Sequence, residues 1–133
     1  MATNLDLITS AYRKLNVIDE NEEPSPEQGV TGLAALNEML ADWEQDGIRL
    51  GWYPQTSLQA EAPLADQDVR GVKHNLAVEL AGEYGMEPPA RIAEIASESK
   101  ARLAKAALRD YQSDVSFLPG AGWAGGSIDD GGF

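Results

Sequence analysis

The chain has no cysteine and a single histidine, His74. Disulfides, thiolate catalysis and thiolate zinc sites are therefore excluded, and a histidine-rich metal centre has too few ligands. Basic side chains are scarce as well: 10 Lys and Arg stand against 22 Asp and Glu, a net charge of −12. Such a field repels a phosphate backbone and argues against a groove that grips DNA. The imbalance is concentrated early, with 13 acidic and 3 basic residues through Asp68 and 9 and 7 from Val69 onward. No stretch approaches the roughly 20 apolar residues that span a bilayer. Met1 to Asp6 has neither the basic start nor the apolar run of a signal peptide, so the expectation is a soluble product made in the cytoplasm, without membrane contact.

What remains is a pattern of helices in a length that suits one modest core. The first is expected from about Asn4 to Leu15, capped by Thr3, with Leu5, Ile8, Tyr12 and Leu15 as its stripe and Asn16 as a left-handed stop. Residues 19 to 24, DENEEP, read as a solvated charged loop; their spacing matches no calcium loop. Ser25, Pro26 and Gln28 then form a strong helix start, a cap followed by proline and a capping-box partner. That helix runs to about Asp46 through Val30, Leu33, Leu36, Leu40 and Trp43. Gly29 and Gly32 weaken it by roughly 1 kcal/mol each relative to alanine, and mark either close approach to a neighbour or a tolerant surface.

Gly47 closes this helix, and Ile48, Leu50 and Trp52 alternate like a short extended piece. Residues 51 to 63 are irregular, with Gln55-Thr56-Ser57 turn-like between Pro54 and Pro63. A third helix is expected from Asp66 or Asp68 to Tyr84 through a stripe of Val69, Val72, Leu76, Leu80 and Tyr84, with Ala77 and Ala81 on its flank, stopped by Gly85. A fourth runs from about Pro89 to Tyr111 through Ile92, Ile95, Ala96, Leu103 and Ala107, with Glu98 and Arg102 paired on its wet face. The fold class is all-α, a bundle of about four helices over residues 1–111.

Residues 112–133 differ in kind. They are glycine-rich yet carry Val115, Phe117, Leu118, Trp123, Ile128 and Phe133, more large apolar groups than a solvated linker keeps. The segment reads as an extended C-terminal arm whose apolar residues anchor on a partner.

Catalytic chemistry finds no foothold in the residues. His74 lies roughly 120° from the centre of its helix stripe, which predicts a surface or inter-subunit histidine. Gly120-Ala121-Gly122 follows no strand and opens no helix, so it is a poor phosphate loop. The acids carry no mark of a paired-carboxylate site, although a tail-borne peptidoglycan hydrolase would need only two of them. No enzyme, cofactor or metal is expected.

The stretch LAALNEMLADWEQDGIRLGW, residues 33 to 52, resembles the head-to-tail connector (adaptor) proteins of short-tailed phages, also called tail accessory or packaged-DNA stabilisation proteins. The resemblance rests on the leucine-rich helix, on Trp43-Glu44-Gln45-Asp46-Gly47-Ile48, and on Trp52-Tyr53. It extends in order of helices over roughly residues 4 to 110, through Ala11-Tyr12-Arg13-Lys14-Leu15-Asn16-Val17 and His74-Asn75-Leu76-Ala77 with Ala81 and Tyr84. Asn16 stands where that family often has glycine. Trp43, Asp46, Gly47, Ile48 and Trp52 mark packing positions, not chemistry.

The resemblance implies a homo-dodecameric ring beneath the portal protein of the virion. Its C-terminal segment would embrace the portal, its bundle would face further tail (nozzle or needle) proteins, and double-stranded DNA would pass through the lumen without specific binding. Ring formation by the chain alone is expected to be weak, with a monomer in solution and the portal as template. The competing expectation is a small acidic helical module that mimics nucleic acid or masks a basic partner through residues 19 to 46.

Overall fold

A computed structural model of the chain describes residues 2–115, and side chains as far as Arg109. Four helices account for its regular structure: α1 (Asn4–Lys14), α2 (Pro26–Gln45), α3 (Asp66–Glu83) and α4 (Ala90–Val115). Among the described residues there is no strand, only an isolated antiparallel bridge between Thr3 and Glu61. The fold is all-α.

Local hydrogen-bond demand explains where the helices begin. Thr3 Oγ1 accepts from the Asp6 amide at 3.1 Å while Asp6 Oδ2 accepts from the Thr3 amide at 3.0 Å. Ser25 and Gln28 make the same reciprocal pair at 3.2 and 2.8 Å, with Pro26 in the first helical position. Each box satisfies two amides that an α-helix start otherwise leaves without partners.

The helix ends share one device. Asn16, Gly47 and Gly85 adopt positive φ of 59°, 89° and 65° after α1, α2 and α3. The following amides of Val17, Ile48 and Met86 donate back to Tyr12, Trp43 and Ala81 carbonyls at 3.2, 3.0 and 2.9 Å. This is the Schellman arrangement, and asparagine fills the left-handed position once because its short polar side chain tolerates it.

The core gathers Leu7, Ile8 and Tyr12 from α1, Leu36, Leu40 and Trp43 from α2, and Val72, Leu76 and Leu80 from α3. Leu7, not Leu5, joins the buried stripe of α1; Leu5 is only half-buried. Gly32 is not a tolerant surface position: a Cβ there would lie 2.5 Å from Ile8 Cγ2, so its bare backbone is what lets α1 seat against α2. Val30 lies outside the core altogether, 69% exposed at the start of α2.

α3 occupies the centre, touching α1, α2 and α4. α4 packs antiparallel along it: Gly71 faces Ser99 and Leu103, and Asn75 Nδ2 donates to the Ala96 carbonyl at 2.9 Å. That pairing sets Asp66, the first residue of α3, level with about Ala107. α4 continues to Val115, four residues past its expected end, so its last two turns project roughly 10 Å beyond α3. Residues 112–115 thus continue the helix, and the remainder of the expected arm lies outside the described residues. On α4 the ion pair among the described residues is Arg91 with Glu94, not Glu98 with Arg102.

Candidate interaction surfaces

Trp43, Asp46, Gly47, Ile48 and Trp52 form the corner where α2 hands over to the loop. Trp43 is 3% exposed, with the Lys100 ammonium 5.6 Å from its ring centroid. The Gly47 turn swings Ile48 into the core, while Leu50 and Trp52 are half-buried and Arg49, Gly51 and Tyr53 exposed. The alternation expected for this piece is present without a strand partner.

The loop that follows is held by polar groups that sequence reasoning passed over. Asn37 Oδ1 accepts from Trp52 Nε1 at 3.1 Å and from the Gln55 amide at 2.9 Å, and Asn37 Nδ2 donates to the Gln55 carbonyl at 2.9 Å. The Gln55 side chain is buried, accepting from Asn4 Nδ2 at 3.0 Å and donating to the Tyr53 carbonyl at 3.0 Å. Residues 55–57 are thus an anchor, not a free turn. Leu58 and Ala60 carbonyls accept from the first-turn amides of α1, Leu5 at 2.8 Å and Asn4 at 3.0 Å. One loop therefore caps α1 and braces α2. No local pattern announces it, since Asn4 and Gln55 lie 51 residues apart.

Two further polar groups sit within the bundle. The Tyr12 hydroxyl donates to the Gln28 carbonyl at 2.8 Å, which leaves its oxygen to accept from the Tyr84 hydroxyl at 3.0 Å. Burial, then the Tyr84 hydrogen bond, push the Tyr12 phenol well above its ordinary pKa. His74 is 6% exposed, not a surface histidine, and Nδ1–H donates to the Arg70 carbonyl at 2.7 Å. Burial lowers its pKa and the cationic Lys14, Arg70 and Lys73 add to that, against the opposing effect of the carbonyl bond.

The outer surface divides by charge. A cleft of about 380 Å³ between α2 and α3 is lined by Glu38, Asp42, Gln45, Glu79 and Glu83. On the other side, a cleft of about 280 Å³ between α3 and α4 is lined by Arg70, Arg102 and Arg109, with Asp68 its one acid. Exposed apolar side chains are Val30, Tyr53, Tyr84, Met86 and, on the projecting half of α4, Leu108 at 56%. Among the described residues no group of three His, Cys, Asp or Glu is placed to hold a metal ion, and no helix is long and apolar enough to cross a membrane. Of the expected arm anchors, Val115 is the last residue of α4; Phe117, Leu118, Trp123, Ile128 and Phe133 lie outside the described residues.

Fold and surface together define an acidic four-helix protein whose distinctive features are charged and apolar faces on a hydrogen-bonded frame. The family model of the P22 tail accessory factor matches residues 1–120, and the chain belongs to that family. It is a tail accessory factor associated with the virion, with a structural part in the phage tail and tail or virion proteins as its partners.

Proposed function

We propose that the chain is the head-to-tail connector of its virion, docking beneath the portal as a dodecameric ring, extending the DNA channel and helping to retain packaged DNA until ejection. The observation that carries this reading is the run of α4 past the bundle. It carries exposed Leu108 outward and leads directly into the apolar, glycine-spaced residues 116–133. A rigid helical lever followed by spaced anchors suits a chain that must leave its own bundle and clasp another protein. The net charge of −12 suits a lumen along which DNA slides without sticking. His74 is given no catalytic part, because it is 6% exposed and its hydrogen-bond partner among the described residues is a backbone carbonyl of its own helix, not a nucleophile or acid, and the reading assigns no enzyme activity.

The test is native mass measurement of portal rings mixed with the full chain and with a chain ending at Val115, which keeps α4 whole. Twelve added copies, lost on truncation, fit the connector with a clamping arm. Twelve copies that survive truncation keep the connector and remove the arm. No binding leaves the acidic module, for which the α2–α3 cleft with Glu38 and Asp42 speaks. A finer probe is Trp123→Ala, expected to change monomer stability by less than about 0.5 kcal/mol while lowering occupancy of the portal. A loss of monomer folding would place Trp123 in the core instead.

A further inference from the structure

In a chain with only 10 basic residues, half of them collect around the N-terminal half of α3. Arg70, Arg102 and Arg109 line the α3–α4 cleft. Lys14 at the end of α1 lies close enough to Lys73 and Arg70 that, after burial, their charges lower its pKa further. Among the described residues the ion pair formed is Arg91 with Glu94, so no carboxylate there lies in ion-pair range of Lys14, Arg70, Lys73 or Arg102, and Asp68 alone offsets the three arginines of the cleft. Like charges held together without partners raise the free energy of the isolated chain, and an anionic surface brought against them lowers it.

The same molecule carries such a surface. The α2–α3 cleft presents Glu38, Asp42, Glu79 and Glu83 and no cation among its lining residues. Along α3 the basic positions 70 and 73 and the acidic positions 79 and 83 are separated by about 14 Å and by roughly 130° of rotation. Two complementary patches at different levels and on different sides of one molecule cannot pair within it. A two-fold dimer could pair both patches only if they shared one face, and roughly 130° of rotation sets them on different faces. They fit a head-to-tail contact, in which one copy's acid meets the next copy's base and both patches of every copy are used when the chain of contacts closes.

We infer that the α1–α3–α4 basic face, centred on Arg70, Lys73 and Arg102, docks into the acidic α2–α3 cleft of a second copy of this chain, and that this heterologous contact joins neighbours in the assembly. The inference rests on the ring reading for its setting. It also accounts for how copies that each carry −12 lie side by side: the pairing neutralises part of the charge where copies approach, and the excess acid is left for other faces. Added salt screens such a contact over a Debye length of about 8 Å near physiological strength, so the contact weakens as salt rises.

The absence of cysteine and the placement of two lysines on one patch suit zero-length carbodiimide coupling. Equal parts of isotopically light and heavy full chain, concentrated in low salt, are coupled and digested, and mixed-isotope links are located by mass spectrometry. The expected links join Lys14 or Lys73 of one copy to Glu38, Asp42, Glu79 or Glu83 of the other. The double reversal Arg70→Glu with Arg102→Glu should lower their yield about tenfold, as should Glu79→Lys with Glu83→Lys. Mixing the two double variants should restore linkage in one direction, from Lys14 or Lys73 of the Glu79→Lys, Glu83→Lys chain to the acidic cleft of the Arg70→Glu, Arg102→Glu chain, and thermal melts of each variant confirm folding. Inter-copy links that avoid these residues, or none at all, overturn the inference. So does protection of Lys14 and Lys73 from acetylation by duplex DNA but not by further copies, which would give this face to nucleic acid. Repeating the coupling with portal rings added separates the two readings: these links in a sample whose portal takes up no copies end the ring reading, and twelve loaded copies linked elsewhere end this contact.

Discussion

α3 and α4 lie side by side, yet they live in different surroundings. α3 buries Gly71, Val72, His74, Leu76, Ala77, Leu80 and Ala81, residues that between them spread around most of the helix. α4 is longer at 26 residues, but its buried residues as far as Arg109 are Ile95, Ala96 and Ser99, all in its first half. The first is an axle against which α1 and α2 pack; the second is a strut whose buried residues lie toward one end. Since helical stability in proteins comes mostly from tertiary packing, the stability of the fold resides around α3. The last two turns of α4, which project past α3, are then available for a contact outside the bundle.

The comparison breaks if the core is not centred as described, and Trp43→Ala tests that with the largest expected effect. Trp43 is buried where α2 closes over the core, and α4 reaches it through Lys100. Its truncation should cost about 3 to 5 kcal/mol in chemical denaturation. A loss below about 1 kcal/mol would mean the core tolerates collapse there and that the frame is looser than its burial implies. Asn37→Ala comes next. It removes the acceptor shared by Trp52 Nε1 and the Gln55 amide, and leaves the partly buried Gln55 carbonyl without its donor. The expected cost is about 1 to 3 kcal/mol. Hydrogen exchange should quicken at the Asn4 and Leu5 amides, because the loop that accepts from them is released.

These two positions also mark what is legible in the sequence. The helix starts at Thr3 and Ser25 and the stops at Asn16, Gly47 and Gly85 are readable, because their chemistry is satisfied within a few residues. Trp43 is readable as core from the spacing of Leu33, Leu36 and Leu40. Asn37 is not: an asparagine in mid-helix has no preferred partner until a loop arrives 18 residues later. The burial of His74 escapes for a related reason. One apolar stripe implies one buried face, whereas α3 touches α1, α2 and α4, so a residue off the stripe such as His74 is buried as well. The charged clefts are equally invisible in the linear chain. Arg70 meets Arg102, and Asp42 meets Glu79, only when separate helices are laid together.

His74 sharpens the contrast through pH. Its folded pKa is lowered from 6.5, by burial first and then by Lys14, Arg70 and Lys73. The unfolded chain therefore takes up a proton on His74 as pH falls through about 6.5, while the folded chain resists until lower pH. Stability should fall over that window as acid is added. Asp68, whose pKa is raised by burial from 3.8, acts in the opposite sense, because its folded form holds the proton more readily as acid is added. His74→Asn keeps a donor near the position of Nδ1 for the Arg70 carbonyl and cannot titrate. Melting temperatures from about pH 7.5 to 5 should decline less for the variant than for the parent. Equal declines would mean that His74 is not the group that senses acid.

The smallest effect on the isolated chain is expected where α4 runs free. Leu108 is 56% exposed on the half of α4 that has no buried residue as far as Arg109. Alanine suits a helix at least as well as leucine, and no cavity is opened, so Leu108→Ala should move monomer stability by less than about 0.5 kcal/mol. The same change should reduce loading onto the portal if the outer half of α4 is part of the docking surface. An exposed leucine gives back apolar area only when a partner covers it, at about 25 cal/mol per Å². Should Leu108→Ala instead destabilise the monomer by more than about 1 kcal/mol, α4 is braced beyond Leu103 by the chain itself. The axle and strut would then be one packed unit, and the lever would lose its reason to reach outward.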